Sequence, residues 1–135
     1  MLEKFYYKNT LIAIRITRFS KGSVPHTEPQ EPLGLLTLGH PKGSYLKAHI
    51  HRPKKRITNQ RLQECFVVKK GKVRVDLYGP DKKFFKYLYL KQGQALLTVN
   101  GGHGFHILED CEIFEVKNGP YIEDKDFIEV SEHKT

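Results

Sequence analysis

Cysteine is scarce in this 135-residue chain. Cys65 and Cys111 are the two present, too few to staple a fold and not in a C-x-x-C pair. They read as buried free thiols of a reduced compartment. No apolar run approaches the roughly 20 residues that a membrane-crossing helix needs. The opening Met1-Leu-Glu-Lys-Phe-Tyr-Tyr-Lys8 lacks the basic-then-apolar order of a secretory signal, so the cytoplasm is the expected compartment. No repeat of fixed period, no low-complexity tract and no convincing amphipathic helix is present. Acids are also sparse over most of the chain. Up to Leu108 there are six, against 20 lysines and arginines, and nine of the 15 acids fall between Glu109 and Glu132.

What remains is a strand-forming sequence of one domain's length, residues 1–135. Charged residues make up 28% and hydrophobic ones 39%, a globular balance. Period-two alternation marks strands at 10–19, 33–38, 44–51, 64–69, 72–78, 83–90, 95–99, 103–108 and 111–116. Gly79-Pro-Asp81 and Lys69-Lys-Gly71 read as hairpin turns. The expected architecture is all-β, two packed antiparallel sheets forming a barrel, with Val73, Val75 and Leu77 inward. Residues 20–32 carry three prolines and read as a surface loop or an edge crossing. Residues 52–62 read as a basic loop.

His49-Ile-His51 would place two imidazoles on one face of a strand, a geometry suited to gripping one metal ion. Glu64 shares its face with Phe66 and Val68, and His103 shares its face with Phe105 and Ile107, so both belong to apolar rows. His106 has the opposite parity and becomes a ligand only if the register slips by one. His26, His40 and His133 have no partner in sequence.

Five residues lie between Gly43 and His49, and six lie between Glu64 and Gly71. This resembles the first motif of the cupins: a glycine, five residues, H-x-H, then a glutamate, six residues and a glycine. Gly93 with Gly101-Gly-His-Gly-Phe105 resembles their second motif. Twelve residues separate His51 from Glu64, where the family usually has three or four, and Val99 stands where the family has proline. The resemblance implies a double-stranded β-helix with a divalent metal at the barrel mouth, held by His49, His51, Glu64 and His103. Fe, Mn, Ni and Zn are not distinguished. The run from Gly101 to Asp110, followed by Glu115 to Tyr121, also resembles small cupins associated with sugar and surface-polysaccharide pathways.

Arg52, Lys54, Lys55, Arg56 and Arg61 follow the H-x-H pair and would rim that mouth, where they suit a phosphate. A phosphorylated or nucleotide-linked sugar is thus the expected ligand. Isomerase or epimerase chemistry would then involve Glu64, His49 and His51 in proton transfer. The alternatives are an Fe(II)-dependent dioxygenase, a metal-free ketoisomerase that uses paired histidines, and a ligand-binding barrel without turnover. Nucleic acid is not expected, because no aromatic residues interleave with the basic loop over 52–65. Exposed strand edges make a homodimer the expected assembly.

Overall fold

Along residues 72–78 valine and leucine alternate with charged residues, and the backbone follows that period. The computed structural model describes residues 2–55, 61–119 and 122–129. Among them are ten strands and no helix: β1 (Leu2–Tyr7), β2 (Thr10–Ile16), β3 (Gly22–Pro25), β4 (Leu36–Gly39), β5 (Glu64–Lys70), β6 (Lys72–Tyr78), β7 (Phe84–Lys91), β8 (Ala95–Thr98), β9 (Gly102–Ile107) and β10 (Glu112–Lys117). Among the described residues, therefore, no helix is long and apolar enough to cross a membrane.

All pairings are antiparallel. One sheet has the order β1-β2-β8-β5-β10, a second β7-β6-β9, and β3 pairs with β4 alone. The two larger sheets bury a common core. Ile12, Ala13, Val68 and Leu96 from the first meet Val73, Val75, Leu77, Leu88 and Leu90 from the second. The five-stranded sheet is covered on its other face too, where Ile14, Ile16, Cys65, Leu97 and Val99 pack with Leu33 and Leu35. Adjacent residues of β8, Leu96 and Leu97, are therefore both fully buried.

Local chemistry sets the turns. Lys8 and Asn9 both adopt positive φ, 46° and 66°, which matches the twist of a tight hairpin between β1 and β2. Gly79 and Lys83 close the expected hairpin between β6 and β7, with the Gly79 N–H donating to the Lys83 carbonyl at 2.9 Å.

Several expectations are corrected. Lys69–Gly71 is no hairpin, because β5 and β6 lie in different sheets and Gly71 carries the chain between them. Its φ of 92° and its close approach to the Asp110 carbonyl explain the glycine. Leu2–Tyr7 forms a strand beyond those expected, and Gly22–Pro25, inside the proline-rich stretch, forms another that pairs with Leu36–Gly39. Residues 44–51 are not a strand: no ladder hydrogen bonds form there, and residues 41–55 are exposed throughout. Alternation decides which side chains would share a face, but a strand also needs an edge to pair with.

Candidate functional site

Glu64 opens β5 and lies opposite Lys117 of β10, while Glu115 lies opposite Phe66. Period two puts Glu64, Phe66, Glu115 and Lys117 on one face of this sheet edge. His103 and Phe105 approach from β9 of the other sheet, and the two edges leave a cleft of about 840 Å³. The segment Ile122–Ile128 also lines it.

On the cleft floor His103 Nε2 stands 3.3 Å from Glu64 Oε1. The His103 ring packs against Phe66 and Phe105, with ring centres 5.2 and 5.8 Å away. Lys117 Nζ lies 3.3 Å from Glu64 Oε2 and 2.6 Å from Glu115 Oε2. Burial, then the hydrogen bond and charge of Glu115, push the Glu64 carboxyl above the usual range, against the pull of Lys117. Burial likewise holds His103 below the ordinary imidazole value, with the Glu115 charge opposing it. Glu115 is held low, first by the hydrogen bond from Lys117, and Lys117 is held high by its bonds to Glu115 and Glu64. The floor thus pairs a carboxyl shifted up and an imidazole shifted down from their ordinary values, beside a carboxylate shifted down and an ammonium shifted up. Such a set can give a proton at one point and take one at another.

A polar clamp fixes the approach to Glu64. Asn118 Oδ1 accepts from the Gln63 N–H at 2.7 Å, and Asn118 Nδ2 donates to the Arg61 carbonyl at 3.3 Å. The fully buried Gln63 side chain donates to Glu31 at 2.6 Å and accepts from the Leu33 N–H at 3.2 Å.

The expected site residues divide. Glu64 and His103 converge, and Arg61 lines the cleft, with Nη2 3.4 Å from Glu31. His49 and His51 sit on the exposed segment with ring centres 4.9 Å apart, His49 Nδ1 being 3.0 Å from the Lys47 carbonyl. Arg52, Lys54 and Lys55 are exposed on the same segment, outside the cleft lining. Arg56 and His133 lie outside the described residues. His106 faces away from the core, 2.7 Å from Asp76. His26 bonds Thr37 and His40 bonds Ser23.

The four-residue metal set is therefore not assembled in this arrangement. Among the described residues no three His, Cys, Asp or Glu side chains stand together as metal ligands. Glu115 and Lys117 join this site without having been expected there. Their signal was two charges in step with Ile113, which packs on the core, and hence on a buried-facing row. No family model matches the chain, and no curated protein or solved structure matches it either.

Proposed function

We propose that the protein binds a small molecule in this cleft and moves a proton on it, as an isomerase or epimerase of a carbonyl-bearing sugar does. The observation that carries this reading is the Glu64–His103 pair at 3.3 Å on the floor of an aromatic-walled cavity. Glu64 in its ionised form removes a proton from the carbon beside the carbonyl. His103 in its protonated form supplies one to the carbonyl oxygen, giving an enediol, and reversed roles complete the exchange. Phe66 and Phe105 offer flat apolar surface to the sugar ring.

Of the five expected anion-binding residues, Arg61 alone lines the cavity among the described residues. The wall also carries Glu115, Glu123, Asp124 and Asp126. The sugar moiety is accordingly the part seated on the floor, and a phosphate or nucleotide stays at the rim near Arg61. Calorimetry and NMR with a panel of sugar phosphates and sugar nucleotides test this. Binding should perturb the resonances of Phe66, His103 and Phe105. Perturbations confined to another surface, or no binding across the panel, would reject the reading.

The double-stranded β-helix of the cupins is the finer fold we propose. Its supports are the two antiparallel sheets packed face to face and the spacing of Gly43, His49, His51, Glu64 and Gly71. A homodimer accompanies it, supported by Phe114 and Val116, which are exposed on the edge strand β10. Metal binding is a second reading, and one observation favours it. Residues 44–51 alternate as a strand does, and β9, which carries His103, is an open edge in its sheet. Pairing of that segment with β9 is what the metal reading requires. Elemental analysis of untagged protein decides it: a stoichiometric transition metal lost in His49→Ala supports the set, and a metal-free protein that still turns over rejects it.

A further inference from the structure

The three-stranded sheet has a second face. Val73, Val75, Leu77, Leu88 and Leu90 point into the core, so the alternate residues of β6 and β7 point away from it. The register puts Lys72 opposite Lys91, Arg74 opposite Tyr89 and Asp76 opposite Tyr87, with His106 of β9 on the other side of Arg74. The Arg74 guanidinium lies 4.4 Å from the Tyr87 ring centre and the Lys72 ammonium 5.0 Å from that of Tyr89. The two tyrosine rings meet edge to face, centres 5.7 Å apart, and are 41% and 44% exposed.

One acid occupies the middle of this face, and it is covered. Asp76 is 1% exposed and accepts from Arg74 Nε at 2.9 Å and from His106 Nε2 at 2.7 Å. Its charge is thereby matched and withdrawn from solvent. Lys72 and Lys91 pair with no carboxylate among the described residues. Opposite Asp76 stands Gly104, and nothing lies within 4 Å of the place its Cβ would take. The face therefore offers two half-exposed aromatic rings, the ammonium groups of Lys72 and Lys91, and open space beside them.

We propose that this face binds single-stranded nucleic acid. Unpaired bases need aromatic surfaces to stack on and the backbone needs cations, with no requirement for base-specific hydrogen bonds. A formal charge of +8 on the chain adds long-range attraction for such a polyanion. A second copy of the chain is a poorer occupant, since a two-fold contact would set the same cations against each other. Duplex is also a poorer occupant, because its bases are already stacked and cannot reach Tyr87 and Tyr89. The basic loop lacks interleaved aromatics, whereas strands β6 and β7 supply them only once they pair.

Fluorescence anisotropy with a labelled single strand of about 12 nucleotides, a common site length, tests this across a salt series. The wild type should bind the single strand more tightly than a duplex of equal length. Tyr87→Ala and Tyr89→Ala should each weaken binding about 5- to 150-fold, the loss of one stacked base, while Tyr87→Phe keeps its affinity. Lys72→Gln combined with Lys91→Gln leaves the core untouched. It should reduce the steepness of log affinity against log salt by about 1.4. Each variant is read alongside its melting temperature, so that unfolding is separated from lost contacts. Equal affinity for duplex and single strand, no binding at low salt, or tyrosine and lysine variants that bind as wild type would each overturn the proposal. A protein that is dimeric through this face, becoming monomeric in Tyr89→Ala, would overturn it as well.

Discussion

Glu64 and His103 belong to different sheets yet stand 3.3 Å apart at the open end of the core. Their contact marks where the apolar interior shared by β5, β6 and β9 gives way to the cleft. Phe66, two residues along β5 from Glu64, already packs edge-on against Phe105, two residues along β9 from His103. The side-chain period of both strands therefore delivers an ionisable group to the same depth, and burial weakens the charged form of each.

That burial has a pH consequence. His103 titrates below its ordinary value of 6.5, so the folded state binds protons less readily there than the unfolded chain. Its stabilising contribution is complete above 6.5 and is lost as pH falls through that value toward the lowered one. Glu115, also held low, adds a loss at more acid pH, whereas the raised Glu64 works in the opposite sense. Urea titrations of wild type and His103→Asn at about pH 7.5 and 5.5, which bracket the histidine value, isolate the term. The variant should lose less stability on acidification. An equal or greater loss in the variant would show that burial does not lower the His103 value.

Asp76 should be the costliest single charge to remove. Asp76→Ala leaves the buried Arg74 guanidinium without its 2.9 Å partner and should destabilise the fold by about 3–5 kcal/mol. Asp76→Asn keeps the shape and an acceptor and should cost less. A shift in the urea midpoint equivalent to under 1 kcal/mol for the alanine variant would contradict the reading of this pair as buried and mutually dependent.

Two glycines with similar backbones should respond differently. Gly71 and Gly93 have φ of 92° and 85°, so alanine at either meets the left-handed penalty of about 1–2 kcal/mol. At Gly71 the added methyl would also collide with the Asp110 carbonyl and Cys111, whereas at Gly93 nothing lies within 4 Å. Thermal melting should rank Gly71→Ala well below Gly93→Ala. The reverse order would mean that the crossing between the sheets is looser than described.

Much of the fold could be read in residue alternation, and its limits were physical. Val73, Val75 and Leu77 lie fully buried where period two put them, and the same parity turned Glu64 and His103 toward each other's sheet. Parity was silent on pairing. Residues 44–51 alternate as β6 does, yet they are bracketed by Pro41 and Pro53, exposed throughout, and joined to no edge. Lys69-Lys-Gly71 shows the same limit, since a left-handed glycine serves a hairpin and a crossing between sheets equally well. Glu115 and Lys117 were hidden because charges on an edge strand ordinarily face water. Their role emerged only with the β5–β10 register.

Solvent deuterium exchange tests the proton-transfer reading most directly. Wild type would be incubated in deuterated water with each ligand found to perturb Phe66, His103 and Phe105, and the carbon beside the carbonyl followed by NMR. Enzyme-dependent deuterium is expected at that carbon. Glu64→Gln should bind the same ligand but lose the exchange by about 10²-fold or more, as expected when a general base is removed. Exchange that persists in Glu64→Gln, or its absence in wild type with every ligand seated in the cleft, would contradict the proton-transfer reading.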